Sequence, residues 1–292
     1  MAHEERSVTR YVKRNQDGAR SHSAIELERY YTQPELWEME RYEGNADQRM
    51  RAQGIAEMVD PEVDSVLDVG CGNGFVTRRL KARKLVVGLD PSQEAVCHFT
   101  GNRVVGNGTY LPFPDRSFDV VVCVEVLEHL SDDVLARTVR ELARVARQHI
   151  VIGVPYKQDL REGMTQCCKC RTRYHINLHQ RSFSAPEDIG CLVPSFSVEQ
   201  HVLLGKRLEI RSQFFKTLRY AVSGPFASSP FARCPECGAS GIDGNPRRRL
   251  RRWLLNRVAW RMPTKVVPAW IILLLTREPD LQTGRQAKQD IQ

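Results

Sequence analysis

Two aspartates and three glycines pose the first chemical question. In the run Ser65-Val66-Leu67-Asp68-Val69-Gly70-Cys71-Gly72-Asn73-Gly74, an apolar strand-like segment ends in a glycine-rich turn, with a carboxylate two residues ahead of the first glycine. A dinucleotide turn follows G-x-G-x-x-G and sets a pyrophosphate on the amides of the next helix. Here the third glycine comes one residue early, at Gly74, and Phe75 follows it. Asp68 would repel a pyrophosphate and attract a ligand with a cationic group. Asp90 closes the second apolar run, Leu85-Val86-Val87-Gly88-Leu89, where a carboxylate can accept from both hydroxyls of a ribose. Asn107 follows the third run, at the place an adenine amino group would occupy. S-adenosylmethionine suits this set: it carries an ammonium, a sulfonium and an adenosine, and its carboxylate can use helix-terminal amides.

The nine cysteines pose the second question. Cys167 and Cys170 form one C-x-x-C pair, and Cys234 and Cys237 another, in Cys-Pro-Glu-Cys-Gly. Two such pairs supply the four thiolates of a closed, tetrahedral structural zinc site. Cys168 could replace Cys167, and His175 and His179 could instead complete a local site with the first pair. Cys71, Cys97, Cys123 and Cys191 read as packing residues.

The elements that must position these groups alternate along the chain. Strands are expected at Ser65–Val69, Leu85–Asp90, Asn102–Val105, from Phe118, and at His149–Tyr156. Helices are expected at 75–83, at 92–100 with Ser92 as N-cap, and at 132–146, with Val134, Leu135, Val139, Leu142 and Val145 on the buried side. Unbroken apolar strands imply a parallel sheet covered on both faces, a doubly wound α/β fold. A further helix is expected over 46–59, with Met50, Ile55, Met58 and Val59 near one face. Residues 156–182 and 212–265 read as irregular insertions, and Ala269–Thr276 returns as a strand. Residues 1–23 and the tail beyond Arg277 read as loose polar segments.

The chain has 292 residues and a formal net charge of +8, much of it concentrated in 247–265. A local basic run suits an anionic partner such as a membrane surface, a phosphorylated substrate or nucleic acid. Leu250, Leu254, Val258 and Met262 share one side of it, which suits interfacial docking. The N-terminal Met-Ala-His-Glu-Glu-Arg lacks the apolar stretch of a signal peptide, and the apolar run 266–275 is too short to span a bilayer. The expectation is a cytoplasmic protein, with peripheral membrane contact through 247–265.

With these residues in view, the segment from about 64 to 155 resembles the class I S-adenosylmethionine-dependent methyltransferases, in the type 11-like branch. Four motifs stand in order: LDVGCGNG, GLDPS, LPFPDRSFD and EVLEHL. The resemblance implies a seven-stranded Rossmann-like sheet whose last strand runs antiparallel. It places Asp68, Gly70, Cys71, Gly72 and Gly74 at the methionine end, Asp90 and Pro91 at the ribose, Asn107 and Gly108 at the adenine, and Glu125 beside the cofactor. It implies three regions: an N-terminal lid or extension at 1–52, the methyltransferase domain at 53–277 with the two cysteine-bearing insertions, and a tail at 278–292.

Methyl transfer from an activated sulfonium rests on in-line positioning, and a base is needed only if the acceptor must lose a proton. His179, Glu125 and His129 are the candidate catalytic residues, with Glu128 and His175 as further candidate bases. Tyr30, Tyr31 and Trp37 could form an aromatic lid, although packing onto the sheet is the simpler role for them. No N-P-P-[YF] motif follows the fourth strand, which disfavours base amino groups as acceptors. No Pro-Cys pair stands there either, which disfavours cytosine C5. The acceptor expected is a small molecule, sugar or lipid-linked intermediate, with RNA, or a non-catalytic binding role, as the alternative.

Overall fold

The computed structural model describes residues 13–14, 30–99, 101–225, 227–240, 246–259 and 261–279. Seven strands form the main sheet: β1 Ser65–Val69, β2 Leu85–Asp90, β3 Asn102–Val105, β4 Phe118–Val124, β5 Ala146–Pro155, β6 Phe196–Leu204 and β7 Trp270–Arg277. Their order is β6-β7-β5-β4-β1-β2-β3. Strands β1 to β5 are parallel, whereas β7 runs antiparallel to both β5 and β6.

Both faces of the sheet are covered, which is why the central strands are apolar throughout. On one face Leu67, Val69, Val121, Cys123 and Ile152 pack with Leu135, Val139 and Leu142 of helix α4, Asp132–Val145. On the other, Val66, Val120, Val122 and Val151 pack with Ile55 of helix α2, Ala46–Glu57. The short helix α1, Met39–Glu43, precedes α2. Helix α3, Gln93–Cys97, begins at Ser92, whose hydroxyl oxygen accepts the Ala95 amide at 3.1 Å. Helix α5, Pro186–Gly190, leads into β6.

Four expectations change. The helix expected over 75–83 is a single 3-10 turn, Thr77–Arg79; Leu80 returns to extended backbone, because few residues separate the glycine turn from β2. Met50 is exposed and Ile55 fully buried, so the inner face of α2 is turned away from Met50. Val134 is only half-buried, so the inner face of α4 begins at Leu135. The segment 212–265 is largely ordered: it forms helices α6, Gln213–Ser223, and α7, Pro246–Ala259, which pack against each other. A two-stranded ribbon, Arg207–Ile210 with Thr264–Val267, closes its base. Apart from Lys13–Arg14, the loose N-terminal segment lies outside the described residues, as does the tail beyond Pro279.

Candidate functional site

The site forms at the carboxyl ends of β1, β2 and β4, where a doubly wound sheet opens a crevice. Gly70, Gly72 and Gly74 all have positive φ, at 81°, 54° and 76°. At Gly72 a side chain is excluded twice over, since a Cβ would also sit 2.8 Å from Trp37 Cζ3. The turn is latched from the next strand. Asp90 Oδ2 accepts the Gly72 amide at 2.9 Å, and Oδ1 accepts the Ser92 amide at 2.8 Å. Burial raises the Asp90 carboxyl above its usual range, and these two amides oppose the shift.

Asp68 is buried, and its Oδ2 accepts from the Thr77 hydroxyl at 2.6 Å. Burial pushes its pKa up to about 7; the Thr77 bond opposes the rise and the nearby Asp90 adds to it. A carboxyl held near neutrality in this way gains its charge when a cation arrives.

The remaining expected cofactor residues differ in setting. Cys71 packs toward Gly88, where an added Cβ would meet its sulfur at 2.8 Å, and burial raises its thiol. Pro91 is exposed on the lip beside Asp90. Asn107 lies past the end of β3, with Oδ1 accepting both the amide and the hydroxyl of Thr109 at 2.9 and 3.0 Å. Its carbonyl oxygen is thus engaged within its own loop in the ligand-free protein. Gly108 lies near Val69 and Thr138.

A roof covers the glycine turn. Asn73 Nδ2 donates to the Trp37 carbonyl at 2.9 Å, the Ser92 hydroxyl donates to the Tyr31 carbonyl at 2.9 Å, and Trp37 Nε1 donates to the same carbonyl at 2.8 Å. Trp37 lies over Gly72, and Tyr30, Tyr31 and Trp37 pack in one cluster with the cysteine-bearing loops. Asn73 and Thr77 are site residues that the sequence did not flag, although both lie in or just after the glycine turn.

Glu125 follows β4 with a φ of 57°. It pairs with Arg51 of α2 at 3.0 Å. Burial raises its carboxyl and Arg51 opposes the shift. Nothing in the sequence around Arg51 announced this pairing. Glu128 and His129 lie in the 3-10 turn Leu127–His129, both buried. The loop carrying His179 is stitched to that turn: the Gln180 amide donates to the Glu128 carbonyl at 2.7 Å, and Gln180 Nε2 to the His129 carbonyl at 2.6 Å. The rings of His129 and His179 meet edge to face at 4.7 Å, and His175 stacks on His179 at 4.6 Å. Tyr31 of the roof touches the His129 ring at 5.9 Å. Burial, with His129 and His175 adding to it, holds the His179 imidazole well below its usual pKa.

The two cysteine pairs converge. Cys167 Sγ lies 3.6 Å from Cys237 Sγ, and Cys170 Sγ lies 3.4 Å from Cys234 Sγ. All four sulfurs lie within 4.8 Å of one another. Zinc at about 2.3 Å from each thiolate of a tetrahedron would set sulfurs about 3.8 Å apart, so the set fits that ion. The Lys169 amide donates to Cys167 Sγ at 3.4 Å. Hydrogen bonds from Thr172 are the largest cause lowering the exposed Cys170 thiol to about 6. Cys168 is exposed and outside the set. His175 and His179 belong to the carboxylate cluster instead. The cysteine knuckle joins the roof: Cys167, Tyr174, Leu178 and Cys234 pack with Tyr30, Leu36 and Trp37, and Gln33 Nε2 donates to the Phe231 carbonyl at 3.1 Å.

Residues 67–152 match the family described as a methyltransferase domain. A Mycobacterium tuberculosis protein described as a probable S-adenosylmethionine-dependent methyltransferase is 40% identical over 88 residues, 28% of this chain and 31% of its own length. The chain spans about a third of the length of the curated relatives it matches. Among solved structures, the Burkholderia thailandensis 1,6-didemethyltoxoflavin-N1-methyltransferase, with 1,6-didemethyltoxoflavin and S-adenosylhomocysteine bound, superposes with a TM-score of 0.52 at 12% identity, over 92% of this chain and 95% of that one. A chain from the complex of the Haloferax volcanii Trm112 methyltransferase activator with a methyltransferase gives 0.50 at 16% identity, over 87% and 97%. At these identities the likeness concerns the fold.

Proposed function

We propose, from the match of residues 67–152 to the methyltransferase-domain family, that the chain is a class I methyltransferase that binds S-adenosylmethionine and methylates a small amphipathic or lipid-linked acceptor. One observation carries the cofactor reading. A turn of three positive-φ glycines is held between two buried carboxylates, one from β1 and one at the tip of β2. Asp68 faces the methionine ammonium, the amides of the turn take its carboxylate, and Asp90 takes the ribose hydroxyls. In the ligand-free state Asp90 keeps the turn formed through Gly72, so little reorganisation is needed when the nucleoside arrives.

Methyl transfer breaks the carbon–sulfur bond, with its electron pair staying on sulfur, and forms a bond from the acceptor to the methyl carbon. The protein supplies alignment and the exclusion of water. The roof of Tyr31 and Trp37 supplies the exclusion, and its closure is braced by the zinc-loaded cysteine knuckle. Glu125, His129 and His179 line the acceptor side, where a proton leaves when the acceptor must lose one.

The hairpin of α6 and α7 supports the lipid-linked reading. Phe214, Leu218 and Val222 of α6 are exposed at helical spacing, as are Leu250, Leu254 and Val258 of α7, with Trp253 beside them. A shallow groove of about 410 Å³ on this hairpin is lined by Trp253, Asn256, Arg257 and Arg261. An apolar stripe edged by arginines fits an anionic bilayer surface. Among the described residues no helix is long and apolar enough to cross a membrane.

The test is methyl transfer from labelled donor into lipid, polar and RNA fractions of a cell extract. Label in the lipid fraction supports the reading. Label confined to RNA replaces it with the nucleic-acid alternative, and no label in any fraction removes the activity.

A further inference from the structure

The carboxylate–imidazole cluster contains a group that methyl transfer alone does not explain. Glu128 is fully buried, and neither of its side-chain oxygens accepts a hydrogen bond among the described residues. Such a carboxylate is costly unless a cation compensates it. Arg51 is already engaged by Glu125. Two imidazoles lie against Glu128 instead, with His129 Nε2 3.8 Å from Oε1. The ligand atoms of Glu128, His129 and His179 all lie within 4.8 Å of one another.

The surroundings of His179 fit the same reading. Its Nδ1 is 2.6 Å from Gln158 Oε1, a pure acceptor, so Nδ1 carries the proton and Nε2 presents a lone pair. A ring nitrogen donating to a carbonyl leaves the other to ligate, which is the arrangement that orients a metal-binding histidine. Donors at about 2.1 Å from one cation lie about 3.0–3.4 Å apart, so side-chain rotations alone would close the group. The turn bearing Glu128 and His129 and the loop bearing His179 are held together through Gln180.

We propose that Glu128, His129 and His179 form a divalent-cation site, separate from the cysteine zinc site, at the acceptor side of the methyl-transfer cleft. Two histidines and one carboxylate suit borderline cations such as zinc, cobalt or iron(II), and three protein ligands leave coordination positions open. Its role rests on the methyltransferase reading; its existence does not. An acceptor oxygen, such as a phenol, enol or carboxyl, takes an open position. Coordination lowers its pKa, and its proton leaves to solvent. The oxygen then attacks the methyl carbon while the sulfonium leaves as the neutral thioether, so one proton is released per turnover. The acceptor class is therefore an oxygen nucleophile.

The test titrates the zinc-loaded full chain with Co²⁺ and follows the visible spectrum. The proposal expects one further equivalent of cobalt with d–d bands and no sulfur-to-cobalt charge transfer. It expects that binding to weaken at least about 100-fold in Glu128→Gln and in His179→Asn, beyond the 10–100-fold typical of losing an outer-shell partner, with the cysteine-bound zinc retained. Failure of the wild-type chain to take up cobalt, or uptake only with sulfur charge transfer, overturns it. Calorimetry with S-adenosylhomocysteine on the same sample separates the two readings. Cobalt uptake without nucleoside binding keeps the site and removes its methyltransferase role, whereas nucleoside binding without cobalt uptake removes the site.

Discussion

Asp90 Oδ2 accepts the Gly72 amide at 2.9 Å, across from β2 to the glycine turn that follows β1. One carboxylate therefore shapes the turn in the ligand-free protein, and in the proposed reading the same carboxylate takes the ribose. Its second oxygen holds the Ser92 amide, which starts α3.

Asp90→Ala removes both amide bonds and the ribose acceptor. Two charge-assisted bonds at about 1.5 kcal/mol each correspond to about 100-fold. S-adenosylhomocysteine affinity, read by calorimetry, should fall by at least that much. Asp90→Asn, which keeps one acceptor oxygen, should fall less.

Cofactor binding should depend on pH through Asp68. Its carboxyl titrates at about 7 in the ligand-free protein, so it is mainly neutral below that pH and mainly ionised above it. The ligand's ammonium prefers the ionised form. Affinity should therefore strengthen as pH rises from 5.5 to 8, by up to about tenfold per unit below 7, and then level off. Asp68→Asn should flatten the profile. A profile unchanged by that substitution would remove Asp68 from the ligand contact.

Gly72→Ala places a side chain at a φ of 54°, 2.8 Å from Trp37 Cζ3. The backbone alone costs about 1–2 kcal/mol. Thermal unfolding should shift down, and protease cleavage in the segment 30–37 should accelerate as the roof lifts. Equal protection of both proteins would mean that Trp37 does not rest on the turn.

Zinc removal should act at a distance. The knuckle packs on Tyr30, Leu36 and Trp37, and Trp37 covers the glycine turn. Purified chain should contain one zinc held by cysteine. Cys234→Ser should lose it, lower the melting temperature, and weaken S-adenosylhomocysteine binding without touching a cofactor residue. Undiminished binding in a zinc-free but folded variant would uncouple knuckle and cleft.

The α6–α7 hairpin should dock on anionic vesicles. Leu254→Glu, at an exposed position, should abolish co-sedimentation with vesicles containing phosphatidylglycerol while leaving the melting temperature unchanged. Binding that survives in Leu254→Glu would place the interaction elsewhere.

Much of this was legible in the sequence, for identifiable reasons. Val66, Leu67, Val120 and Val121 are buried on both sides of the sheet, so their strands appear as unbroken apolar runs. The capping of α3 was legible because Ser92 bonds within its own turn. The segment after Gly74 read as helical because its residues favour a helix, yet the short return to β2 allows only one 3-10 turn. Helix α6 stayed hidden because its apolar residues Phe214, Leu218 and Val222 face outward, which blurs the periodicity of a buried face, whereas the spacing of Leu250, Leu254 and Val258 already gave α7 a one-sided pattern. The pairing of Arg51 with Glu125 had no local signal, as it joins a helix before β1 to the end of β4. The convergence of the cysteine pairs was legible from spacing, whereas Glu128 stood out only once both of its oxygens were seen to be buried without donors.

The most direct measurement is a calorimetric titration of the purified chain with S-adenosylhomocysteine, set beside one with NAD. One equivalent of the sulfur nucleoside bound, with no heat from NAD, is the expected result. Saturable NAD binding, or silence with both ligands, would contradict the assignment of the Asp68–Gly72–Asp90 turn to a cationic sulfur nucleoside.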